Sequence, residues 1–198
     1  MKRLAPLALL ALAALLAGCG GGAGGPAATA ARQLPSPKTL VLHAADLGPG
    51  YVPQASATKP ITLAHELRNE SARAQDADVH SYVAGYSAGF ARPGQVGIVS
   101  QVLLYRDARA ASIVIGDAQA VAHITRQLHA HAIAAPPGAP GTPRLMLAGT
   151  LDGLPAYAYG WQHGTALGLV AVFGRHVPLA RVLALARAQD ARLTGAVA

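Results

Sequence analysis

Five extended runs, three of them ended by a tight turn, constrain this chain more than any other feature it has. Between Tyr82 and Phe90 the residues Tyr82, Ala84, Tyr86, Ala88 and Phe90 alternate with their neighbours, the period-two pattern of a strand with two unlike faces. Arg92-Pro93-Gly94 reads as a turn. Val96 to Tyr105, carrying Ile98, Val99, Val102, Leu103 and Leu104, reads as the second arm of a hairpin. Arg144–Thr150, Pro155–His163 and Thr165–Gly174 make three further strands, joined at Asp152-Gly153 and at Gly164. Links this short permit antiparallel neighbours, because a parallel pair needs a crossover of about a dozen residues.

Between the two groups of strands, Asp107 stands where an N-cap belongs. Ala110, Val114, Ala118, Val121, Ile124 and Leu128 then recur at spacings of four and three, one face of a single long helix. Arg109, Ser112, Gln119, His123 and Arg126 fall on its other side. Pro178 suits the first turn of a last helix that brings Leu179, Val182, Leu183 and Ala186 to the core. Upstream, Thr39 to Leu47 reads as one or two helical turns stopped by Gly48-Pro49-Gly50, and Thr62 caps a helix running through Leu63 and Leu67 toward Ala72. The expected fold is α+β: about five strands in a mostly antiparallel sheet, with helices packed on it. Asp107, Asp117 and Asp152 are expected as cap or turn residues.

The N-terminus carries an address. Met1-Lys2-Arg3 is basic, Leu4 to Leu16 is rich in Leu and Ala, and Leu16-Ala17-Gly18-Cys19 follows. A basic start, an apolar stretch and small residues before a cleavage point make a secretory signal peptide. The apolar stretch is shorter than the roughly 20 residues a bilayer-crossing helix needs. Leu16-Ala17-Gly18-Cys19 resembles the bacterial lipobox. That resemblance implies cleavage before Cys19 and a diacylglycerol thioether on its sulfur, placing the protein in the cell envelope on the extracytoplasmic side. Cys19 is the sole cysteine, so the domain is expected to fold on its hydrophobic core, with no internal disulfide. Residues 20–37, glycine-rich and proline-containing, are expected to form a flexible linker. The expected organisation is a signal peptide over 1–18, a lipidated cysteine and linker over 19–37, and one domain over 38–198.

The chain carries 16 basic and 9 acidic residues. Loss of Lys2 and Arg3 with the signal peptide leaves a net charge of +5. The arginines are scattered and never run together. A nucleic-acid surface needs clustered positive charge, so nucleic acid is not an expected partner. Anionic lipid or an envelope polymer is a better match.

Four constellations hint at chemistry. Gly85-Tyr86-Ser87-Ala88-Gly89 fits the letters of a serine-hydrolase nucleophile elbow, with Asp152 and then His163 or His176 in the right chain order. An elbow, however, needs a helix starting straight after the serine, and here Phe90-Ala91 runs into Arg92-Pro93-Gly94. Ser87 is therefore expected to be structural. His129 and His131 form the closest pair among eight histidines, with His123 eight residues before His131. With no cysteine or carboxylate nearby they read as histidines at a helix end, since a structural zinc site wants four N or S ligands. Tyr157, Tyr159 and Trp161 share one face of a strand, opposite Ala156, Ala158 and Gly160. The small face invites a helix to lie flat. The aromatic face reads either as the wall of a ligand cleft or as half-buried core. No phosphate loop or dinucleotide fingerprint occurs, and no cofactor is expected.

The element order, the Tyr105-Arg106-Asp107-Ala108 junction between strand and helix, and the lipobox together resemble PsbP-like and related domains of small bacterial lipoproteins. The resemblance implies an envelope domain and carries no site residue with it. The functional expectation is a non-enzymatic lipoprotein that binds a ligand or an envelope protein or polymer. The alternatives are a serine hydrolase using Ser87 and a carrier of an apolar ligand.

Overall fold

A computed structural model describes residues 34–197 except Pro93, Gln95 and Pro143. Cys19, the lipobox and most of the linker lie outside the described residues. The helices are α1 (Pro37–Leu40), α2 (Ala44–Leu47), α3 (Leu63–Glu66), α4 (Ala72–Ser81), α5 (Ala108–Ile115), α6 (Ala118–Gln127) and α7 (Leu179–Val197). The strands are β1 (Val52–Pro53), β2 (Lys59–Ile61), β3 (Tyr82–Arg92), β4 (Val96–Tyr105), β5 (His131–Ala132), β6 (Arg144–Leu151), β7 (Leu154–His163) and β8 (Ala166–Gly174).

The architecture is α+β, as expected, but the sheet has eight strands where the alternation predicted about five. Its order is β1-β3-β4-β8-β7-β6-β5, with β2 also on β3, and each pairing is antiparallel. The five predicted strands are β3, β4, β6, β7 and β8. The three others are two or three residues long, too short to show a period. They pair along the outer sides of β3 and β6, where a bare edge would invite another chain. Asp152 and Gly153 both take positive φ in the two-residue turn between β6 and β7, the conformation whose twist suits a tight hairpin.

Helices pack on both faces of the sheet. One face presents Phe90, Ile98, Val102, Leu104, Val170, Val172, Tyr159 and Trp161, all buried. It is covered by α7, through Val182, Leu185, Ala186 and Leu193, and by Leu40, Val41 and Leu42 of the α1 region. Leu34 and the start of α1 at Pro37 already belong to this body. A buried polar network ties the layer together. The Ser100 hydroxyl donates to Gln189 Oε1 (2.7 Å) and accepts from the Leu42 N–H (2.9 Å), while Gln189 Nε2 donates to the Gln101 carbonyl (2.7 Å). Each polar atom in this network has a partner, as burial requires.

The other face takes α4 and α5 through Ala74, Ala110, Ala111, Val114, Tyr105 and Leu167. Here the expected long helix is two. Gly116 ends α5, and the Asp117 carboxylate accepts the Ala120 N–H to start α6. The apolar stripe runs on in phase across this break, so periodicity alone could not reveal it. Similarly, Thr62 precedes a helix as expected, but α3 stops at Glu66, and Ser71 starts α4 afresh by accepting the Ala74 N–H. None of the described helices is long and apolar enough to cross a membrane.

Candidate functional site

The aromatic strand face is the first place to look. Tyr159 and Trp161 are both fully buried, stacked with ring centroids 5.4 Å apart at an interplanar angle of 21°. The Tyr159 hydroxyl donates to the Pro140 carbonyl (2.6 Å), and Trp161 Nε1 donates to Asp190 Oδ1 of α7 (2.8 Å). Room for the indole comes from Gly168, its cross-strand partner on β8. A Cβ there would stand 2.5 Å from Trp161 Cζ2. Tyr157 is half-buried against the same core. The structure thus places Tyr157, Tyr159 and Trp161 in the packing beneath α7 and the 136–141 loop. The small face of the same strand receives α5: a Cβ on Gly160 would meet Ile115 Cδ1 at 3.6 Å.

Ser87 sits within a continuous ladder, with Lys59 of β2 on one side and Gln101 of β4 on the other. Its hydroxyl is 3.5 Å from Gln101 Nε2, an amide with no capacity to act as a base. His163 is elsewhere, its Nδ1 3.3 Å from Asp190 Oδ1. The elbow geometry that the letters hinted at is absent: no turn follows Ser87, and strand hydrogen bonds occupy its neighbourhood. Asp152 and His176 both take positive φ outside the strands. His129 follows the end of α6, and His131 is exposed on β5. Among the described residues no three His, Cys, Asp or Glu side chains converge on a point that would hold a metal ion.

A shallow concave surface with polar lining lies in the helical layer on the far side of the sheet. A groove of about 310 Å³ is lined by Ser71 and Arg73 of the α4 start, by Arg109, Ser112, Ile113 and Gly116 along α5, and by Asp117 at the α6 start. Positions 109, 112, 113 and 116 fall on one stripe of a helix, so α5 offers one continuous wall. Asp117 fixes the opening. Its Oδ2 accepts the Ser71 N–H and the Ala120 N–H, both at 3.0 Å, joining the starts of α4 and α6. Burial pushes this carboxyl up, but hydrogen bonds from the Ser71 hydroxyl and from the Ala120 and Ser71 N–H groups outweigh it and hold it below the ordinary carboxylate range. Arg73 and Arg109 are exposed and make no ion pair among the described residues.

Behind the groove, Glu70 and Asp78 are buried with Tyr105. Burial raises the Asp78 carboxyl, opposed by hydrogen bonds involving Tyr105 and Glu70. Sequence reading had Asp117 as a cap and Arg109 and Ser112 on the outer side of a helix. It missed Arg73 and the groove, because 71–73 and 109–117 meet only through the docking of α4 on α5. The one available signal was the polar stripe Arg109-Ser112-Gly116 within an otherwise apolar helix.

No family model matches the chain, and no curated protein matches its sequence. Among solved structures the fold is similar to the extracellular domain of PknH from Mycobacterium tuberculosis. The TM-score is 0.52 at 8% identity, over 82% of this chain and 100% of that one. The likeness is one of fold. It spans that whole domain with no recognisable sequence in common.

Proposed function

We propose that this protein is a non-enzymatic binding domain of the cell envelope, held to the membrane by lipid on Cys19 and presented on the extracytoplasmic side. The groove between α4, α5 and α6 carries the reading. It is a concavity whose base is cross-braced by Asp117 and whose two lining guanidiniums make no ion pair among the described residues. Sites of this kind are concave, largely preformed and supplied with a few converging polar groups. The lipobox supports the anchor, and the fold likeness, over 82% of this chain, to a domain described as extracellular supports the location.

The reading has two tests. Cys19→Ser should release the protein from the membrane fraction or leave its signal peptide uncleaved, and unchanged fractionation with normal processing refutes the anchor. A fluorophosphonate probe, read by mass spectrometry on the purified protein, should leave Ser87 unlabelled. Stoichiometric labelling of Ser87 that disappears in Ser87→Ala would restore the hydrolase alternative.

A further inference from the structure

We infer that the sheet face covered by α1 and α7 is the side of the domain that meets the membrane, as a basic surface drawn to anionic lipid headgroups; this inference rests on the lipid anchor of the proposed function. Packing sets the layer. α1 lies over β3 and β4, and α7 lies over β7 and β8. These strands adjoin in the order β3-β4-β8-β7, so the two helices cover one continuous face. Over residues 34–50 and 175–197 this layer carries five basic side chains, Lys38, Arg175, Arg181, Arg187 and Arg192, against two acidic ones, Asp46 and Asp190. Asp46 and Arg192 cancel one another, since both carboxylate oxygens accept from Arg192 Nη2, at 2.7 and 2.8 Å. Asp190 is largely buried, accepting the Trp161 indole N–H and standing 3.3 Å from His163. The other four cations make no ion pair among the described residues. Arg181 and Arg187 donate to the carbonyls of Leu47 and Gly138, which are neutral. The formal excess on this face is three positive charges.

The opposite layer has no such excess. Residues 63–81 and 106–127, which build α3 to α6, carry five basic side chains and six acidic ones. That layer is formally negative by one charge, and neutral when the buried Asp78 holds a proton. A negative plane therefore attracts one side of the domain and not the other. The relief of α7 suits a plane. Its outer row holds Ala180, Ala184, Arg187 and Ala191, all exposed, with no acid and no bulky apolar side chain to hold the helix off headgroups. The chain also enters the domain on this side: Leu34 packs against the core cluster of α7, and Lys38 follows in α1. The 15 residues from Cys19 to Leu34 span at most about 50 Å, so an anchored domain stays within reach of the bilayer. Contact is what the charges reward, since their attraction fades over a Debye length of about 8 Å. Each basic residue near an anionic surface strengthens association about fivefold. Docked in this way, the domain turns the groove of α4, α5 and α6 away from the bilayer.

The test uses the full chain, purified from its native source in detergent and reconstituted into vesicles of phosphatidylcholine with or without phosphatidylglycerol. With the Cys19 sulfur acylated, Ala184→Cys on α7 and Gln119→Cys on α6, both at exposed positions, each offer one free thiol for a fluorophore. Energy transfer to a headgroup-labelled lipid then reads how near each face lies to the bilayer. In anionic vesicles, transfer from position 184 should exceed that from position 119. The excess should vanish in neutral vesicles and in about 1 M salt, where the Debye length is about 3 Å. Lys38→Gln, Arg175→Gln and Arg187→Gln, all at exposed positions, should each lower the docking equilibrium about fivefold with an unchanged melting temperature. Arg126→Gln on α6 should leave it as it is. Equal transfer from the two positions in anionic vesicles, or an excess that neutral vesicles preserve, overturns the assignment. So does transfer that follows protein density rather than lipid charge, which gives the face to a second copy. Protein that fails to enter neutral vesicles refutes the anchor alone. Salt-sensitive flotation with anionic vesicles, lost in the triple variant, then still supports the basic face, and its absence overturns that as well.

Discussion

Trp161 is the only tryptophan in the chain, which makes its surroundings directly measurable. If the indole is core, its removal costs stability and nothing else. Trp161→Ala deletes a fully buried side chain, a stacking partner of Tyr159, and the donor to Asp190. Large buried aromatics truncated to alanine typically cost about 3–5 kcal/mol. Little collapse is available to reduce that cost, because Gly168 and Gly141 sit close to the ring and offer no side chain to swing in. For a domain of this size each kcal/mol moves the melting temperature by about 2–4 °C, so the midpoint should fall by about 6–20 °C. Tyr157→Ala, at a half-buried position, should fall by clearly less. Differential scanning calorimetry measures both. In the wild type the fluorescence of the single tryptophan should be blue-shifted and resistant to iodide. A red-shifted, readily quenched emission, together with a Trp161→Ala midpoint within about 3 °C of wild type, would refute the assignment. It would return Trp161 to the wall of a cleft.

Gln189→Ala strips the partner from the Ser100 hydroxyl and the Gln101 carbonyl in the same buried network, and chemical denaturation should show a loss of about 2–3 kcal/mol. Asp78 titrates in the folded state above its ordinary 3.8 because burial disfavours its charge. The stability it contributes is therefore complete below that pH and lost as pH rises through the folded value. Asp78→Asn should gain on the wild type as the pH climbs from 4 toward 7 in urea titrations, and parallel curves would show that Asp78 is not the group responsible. Ser87→Ala should leave the fold intact and change stability by less than about 1 kcal/mol, since among the described residues its hydroxyl has one long contact, to Gln101.

The large strands were legible because the period-two pattern and the turn chemistry agreed. Asp152-Gly153 can serve a two-residue hairpin, and β7 and β8 flank a turn just as short at Gly164. The short strands were not legible, because two residues at Val52–Pro53 or His131–Ala132 carry no pattern and pair only once β3 and β6 are in place. Asp117 was legible as a cap but not as a break, since Val114 and Ala118 stay in phase on either side of it. The aromatic triplet had two sequence readings, and alternation cannot choose between them: whether a strand face meets solvent or α7 is decided by a helix that begins 18 residues after Trp161. The groove is less legible still. Arg73 and Arg109 come to line one groove through the packing of Ala74, Ala110 and Ala111, small residues that let two helices approach closely and that look like filler in the sequence. The link from Ser100 to Gln189 spans 89 positions and has no local signature.

Native mass spectrometry of the protein purified from its native source in mild detergent puts the binding reading to its sharpest test. A stoichiometric extra mass should leave the wild type on collisional activation and be missing from the Arg73→Gln, Arg109→Gln double variant. Wild-type protein that emerges bare, indistinguishable from the double variant, would contradict it.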